Sequence, residues 1–118
     1  MSEDKAALGR EMIGKLCGNP NAVDSMPGDI GRYTIEHLFG DVWQGKDMAV
    51  EERSLVTCTV LTALGRESEL KFHFPGAKRL GIPREKLLSM IAHVAHYAGW
   101  PRAMGALRVL NEVWPEGE

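Results

Sequence analysis

The feature that most limits this chain is a hydrophobic repeat of three to four residues that stops, again and again, at a glycine. Ala6, Ala7, Leu8, Met12, Ile13 and Leu16 recur at helical spacing between Ser2 and Cys17 and end at Gly18. The pattern returns from Asp29 to Phe39 before Gly40, from Glu51 to Leu64 before Gly65, from Glu67 to Leu80 before Gly81, and from Pro83 to Ala98 before Gly99. A last segment opens at Pro101 and reaches Trp114. Glycine takes the left-handed conformation that commonly closes a helix, and proline suits a first helical turn, whose N–H has no helical partner. No alternating strand pattern competes. The sequence therefore predicts an all-α fold of about six helices with short joints.

Some details of the pattern carry further expectations. Residues 19–28 are dense in turn formers and read as a loop. Residues 40–48 are irregular yet hold Trp43, an aromatic expected to be tucked against something. The Glu51–Leu64 segment is apolar on most sides, which predicts a central helix. Pro75, inside the Glu67–Leu80 segment, predicts a kink or one missing hydrogen bond.

A length of 118 residues predicts a single domain spanning residues 1–118. With 44% hydrophobic and 25% charged residues, the balance is that of an ordinary globular chain. A net charge of −2 argues against a nucleic-acid or anionic-membrane partner. The N-terminus, Met1-Ser2-Glu3-Asp4, is acidic where a secretory signal is basic and then apolar, so a cytoplasmic protein is expected. Cys17 and Cys58 form neither a CxxC pair nor half of a zinc site, which disfavours a disulfide scaffold or a dithiol centre.

Chemistry gathers at a few positions. Glu69 and His73 stand four residues apart on one helical face with Arg66 a turn earlier, either a surface pair or a carboxylate supporting a proton-transfer histidine and raising its pKa. Arg53 sits one turn inside an apolar helix and needs a partner or an anion. His93 and His96 share a face three residues apart. Their neighbours offer no third ligand, so a partly buried contact pair is favoured over a metal site. His37, beside Glu36, is ambiguous in the same way.

Four blocks in order then resemble the carboxymuconolactone decarboxylase family. They are His37-Leu38-Phe39-Gly40-Asp41-Val42-Trp43, Glu52-Arg53-Ser54-Leu55-Val56-Thr57, Glu69-Leu70-Lys71-Phe72-His73 with Ala77 and Gly81, and Tyr97-Ala98-Gly99-Trp100-Pro101. The resemblance covers about residues 34–114 and implies the helical fold shared with alkylhydroperoxidase D, assembled as a homotrimer or homohexamer. The peroxidase branch of that superfamily carries Cys-x-x-Cys-x-x-x-His. If its histidine is His73, the two cysteine positions hold Arg66 and Glu69, neither of which attacks a peroxide.

The decarboxylase branch implies removal of CO2 from a carboxylated lactone such as 4-carboxymuconolactone, giving an enol-lactone without cofactor or metal. The resemblance makes His73 the candidate proton donor, Arg53 the carboxylate anchor and Glu69 a support for His73, or else a partner of Arg66. It offers His37, Trp43 and His96 as walls and hydrogen-bond donors. The chain departs from the family pattern after Gly81, where Ile82-Pro83-Arg84-Glu85-Lys86-Leu87-Leu88-Ser89 replaces an opening hydroxyl residue and an acidic pair, and at His93 and His96. Those departures leave two alternatives, another lactone or polyketide-like acid as substrate, or an oligomeric scaffold without activity.

Overall fold

A computed structural model describes residues 2–118; Met1 and the side chains of Ser2 and Glu3, which open the acidic N-terminal run, lie outside the described residues. The helices are α1 (Ser2–Cys17), α2 (Gly28–Tyr33), α3 (Val50–Leu64), α4 (Glu67–Arg79), α5 (Arg84–Ala98) and α6 (Trp100–Val113). No strand occurs among the described residues, so the fold is all-α. No described helix is long and apolar enough to cross a membrane. Two compact units divide the chain, the first running through Val50 and the second from Glu51 to Glu118.

In the first unit α1 lies against a π-helical segment, Thr34–Phe39, that continues α2. The pattern over residues 29–39 predicts one ordinary helix; in the structure its second half widens into π-helical turns, at whose start the Thr34 hydroxyl donates to the Ile30 carbonyl at 2.6 Å. Two glycines permit the close crossing: a Cβ on Gly9 would run into the Ile35 carbonyl, and one on Gly40 into that of Lys5. Trp43 falls in a 3-10 turn, Val42–Gln44, and is buried with its ring 5.4 Å from Phe39, tucked in as expected.

In the second unit α4 and α5 each lie against α6 around the fully buried Leu70, Phe74, Leu87 and Leu110. Here α3 corrects the expectation of a central helix. Its buried row is Ser54, Cys58 and Thr62, whereas Val56, Val60 and Leu64 are 48, 48 and 58% exposed. The Thr62 hydroxyl donates to the Cys58 carbonyl at 2.8 Å, so its polarity is satisfied inside. Arg102 donates to the Ala63 carbonyl at 2.9 Å and so satisfies the end of α3, while Arg84 reaches the Trp114 carbonyl at 2.8 Å and Asn111 Oδ1 at 2.6 Å. The α4 helix runs through Pro75 to Arg79. Gly99, at φ 101°, makes the sharp joint between α5 and α6, a conformation that side-chain-bearing residues rarely adopt.

Candidate functional site

His73 sits on α4, half-buried, with the ring of Phe72 edge-on at 5.0 Å and its own carbonyl accepting from Cys58 Sγ at 3.6 Å. Burial pushes its imidazole down to about 4, and the nearby Glu69 carboxylate pulls the other way without overcoming that effect. The expected upward shift is thus reversed, and at neutral pH the ring is uncharged. Glu69 is itself engaged, since its Oε1 accepts from Arg66 Nε at 3.0 Å. That pairing spreads the carboxylate's charge onto a guanidinium. It weakens both the support given to imidazolium and the repulsion of an anionic ligand.

Arg53 is half-buried on α3, and its Nε is buried with no hydrogen-bond partner among the described residues. An orphaned guanidinium N–H is an unfavourable arrangement that an anion would relieve. The α3 and α4 helices meet where Cys58 touches the His73 backbone. Arg53 stands five residues before Cys58, about 7.5 Å of helical rise. The Cys58 thiol is pushed up to about 12 by burial, so it is protonated and inert at any ordinary pH.

The other expected site residues fall elsewhere. His37 and Trp43 belong to the first unit. There His37 is exposed with Nδ1 3.8 Å from Asp41 Oδ2, while Trp43 is buried among that unit's own apolar residues. His93 and His96, expected as a pair at a helix or subunit contact, are both exposed in the single chain, and each packs on its own aromatic four residues on. His93 lies 5.1 Å from the Tyr97 ring, and His96 meets Trp100 edge-on at 5.3 Å. His96 Nδ1 is 2.8 Å from the Ala92 carbonyl, which can only accept, so that nitrogen carries the hydrogen. The clefts of this unit include one along α5 and α6 and two between α3 and α5, and none of these is lined by Arg53, Glu69, His73 or His96. The α3–α5 clefts instead bring together His93, Lys86, Ser89 and Tyr97. Their i, i+3, i+7, i+11 spacing, which puts Lys86, Ser89, His93 and Tyr97 on one helical face, is present in the sequence.

Comparison with known proteins bears on the whole arrangement. The model of the carboxymuconolactone decarboxylase family matches residues 28–112, from the start of α2 nearly to the end of α6. The chain belongs to this family. It is 31% identical over 109 residues to the 4-carboxymuconolactone decarboxylase of Acinetobacter baylyi, covering 92% of this chain and 79% of that protein. It is also 26% identical over 118 residues to the nitrosuccinic acid decarboxylase npaB of Metarhizium robertsii, covering 97% of this chain and 80% of the relative. Arg53, Glu69 and His73 all fall within the stretch matched by the carboxymuconolactone decarboxylase model.

Proposed function

We propose that the protein is a cofactor-independent carboxy-lyase that removes CO2 from a carboxylated lactone such as 4-carboxymuconolactone. The carrying observation is family membership over most of the chain together with two decarboxylase relatives. The acids in those two relatives' names share a carboxylate placed near an electron-withdrawing group, a lactone in one and a nitro group in the other. In the lactone, the C–CO2 bond breaks and its electron pair passes through the ring double bond onto the carbonyl oxygen as a dienolate. A proton then returns to ring carbon, giving the enol-lactone. The substrate is its own electron sink, so the protein needs to hold carboxylate, stabilise the developing oxyanion and deliver one proton.

In this reading the Arg53 guanidinium holds the substrate carboxylate, its buried Nε having no hydrogen bond among the described residues that would have to be broken first. His73 handles the proton. Its imidazole is neutral in the empty site, and an anion placed beside it favours the charged form, so the ring takes a proton from solvent as the substrate binds and gives it to carbon once CO2 has left. Glu69, held by Arg66, positions His73 electrostatically. His96, whose Nδ1 hydrogen is held by the Ala92 carbonyl, presents its exposed Nε2 as a hydrogen-bond acceptor. The family match runs without a break across residues 50 and 51, which supports one working domain from both units. The exposed Val56, Val60 and Leu64 row and the exposed Trp100 support the homotrimer or homohexamer, because they are apolar area that a second copy would cover. A role in cytoplasmic aromatic catabolism follows from the same substrate.

Turnover of 4-carboxymuconolactone, followed by its ultraviolet absorbance, tests the activity. His73→Ala should slow it by about two to four orders of magnitude, the range of a positioned acid or base, while circular dichroism and light scattering stay unchanged. Full activity in a folded His73→Ala protein would remove the proton role. A monomer by light scattering at micromolar concentration would overturn the assembly.

A further inference from the structure

The two clefts between α3 and α5 adjoin, sharing Thr59, His93 and Val94, and have volumes of about 360 and 390 Å³. That is the size of a site for a small organic molecule. One wall is the row Leu55, Thr59 and Ala63 of α3, four residues apart, a row to which Arg53 does not belong. The other is α5, which presents Lys86, Ser89, His93 and Tyr97 along one face.

The polar groups of this groove are distinctive for what they lack. Several other exposed cationic side chains of the second unit are engaged: Arg66 with Glu69, Lys71 with Glu112, Lys78 over the Trp114 ring, Arg108 with Glu67. Lys86 Nζ and Ser89 Oγ have no hydrogen bond or ion pair among the described residues, and the His93 ring has only its contact with Tyr97. No acidic residue lines either cleft. One fixed positive charge, one hydroxyl and one imidazole N–H suit a single negative charge spread over two oxygens, and are too few for a phosphate dianion. The walls of Leu55, Met90 and Val94 suit a hydrocarbon body, and the Tyr97 ring offers a flat face.

We infer that the α3–α5 groove is a binding site for a small unsaturated or aromatic monocarboxylate, separate from Arg53 and His73, with Lys86, Ser89 and His93 taking the carboxylate. Benzoate is the probe, with benzamide as its neutral counterpart of the same shape and inorganic phosphate as the competing anion. Titration into the ¹⁵N-labelled protein should give saturable shifts of α3 and α5 amides with benzoate and far weaker ones with benzamide or phosphate. Lys86→Met, a change at an exposed position, should weaken benzoate by about tenfold, the loss of one charge-assisted contact, and Ser89→Ala by less. In Arg53→Ala the benzoate-induced shifts of the groove residues Ser89, His93 and Tyr97 should persist, since Arg53 lies off the groove. Absence of saturable binding, equal binding of benzamide or phosphate, or an unchanged affinity in Lys86→Met would each overturn the inference. Loss of benzoate binding in Arg53→Ala with none in Lys86→Met would overturn it as well, by moving the ligand to the proposed decarboxylase site.

Discussion

The Sγ of Cys58 lies 3.6 Å from the carbonyl oxygen of His73, so the buried thiol of α3 meets the backbone of the residue proposed to carry the proton. With its pKa pushed up to about 12 by burial, that thiol has almost no thiolate at pH 8, whereas Cys17 is partly exposed. A thiol reagent should therefore label Cys17 alone in the folded protein and both residues in denaturant. Rapid labelling of both without denaturant would contradict the packing. Changing both cysteines to serine should leave peroxide turnover at background, because neither occupies a dithiol position.

The depressed pKa of His73 has a consequence for stability. The unfolded chain takes up a proton near 6.5 and the folded protein only near 4, so between those values the unfolded state binds more protons and stability rises with pH. The contribution is fully present above about pH 6.5 and lost as the pH falls to about 4, on the order of 2 kcal/mol for a group this buried. Carboxylates titrate across the lower part of the same window, so the comparison is with His73→Gln, whose melting temperature should fall less between pH 7 and pH 4. Parallel profiles for the two proteins would mean that His73 titrates normally in the folded state.

Helix spacing and glycine stops made the helical architecture legible, because both act within a few residues. The segment ends at Gly65, Gly81 and Gly99 coincide with positive φ in the structure. The limits were set by packing. Nothing local distinguishes the buried face of α3 from its exposed one when valines and a leucine occupy the exposed side. At the candidate site, the Glu69–His73 spacing correctly placed a carboxylate near the imidazole, but burial depends on the surrounding fold and reversed the sign of the shift. The Arg66–Glu69 pair was legible because it lies within one helical turn.

Two glycines of α1 should respond oppositely to alanine. At Gly9 a Cβ would run into the Ile35 carbonyl, a backbone atom that moves only if the π-helical segment moves, so Gly9→Ala should be strongly destabilising. At Gly14 the nearest neighbours are Pro20 atoms at 3.6 Å, ordinary contact distance. There alanine removes only the entropic penalty of glycine in a helix, and Gly14→Ala should gain about 0.5–1 kcal/mol. Chemical denaturation of the two variants checks both signs. A tolerated Gly9→Ala would show that α1 and the π-helical segment cross less closely.

Arg53 allows an anchoring role to be separated from a structural one. A guanidinium that held the fold together would be fully bonded in the empty protein, and its loss would lower stability. Its buried Nε has no partner among the described residues, so Arg53→Met should leave stability unchanged or raise it slightly. Toward substrate the opposite is expected. Arg53→Lys keeps the charge but replaces the planar fork with a point donor, and should raise KM for the carboxylated lactone by about tenfold or more while affecting kcat less. Arg53→Met, lacking the charge as well, should be worse on the same scale. Steady-state kinetics and denaturation on the same two variants decide the matter. Wild-type KM in Arg53→Lys together with a destabilised Arg53→Met would return this arginine to a purely structural part.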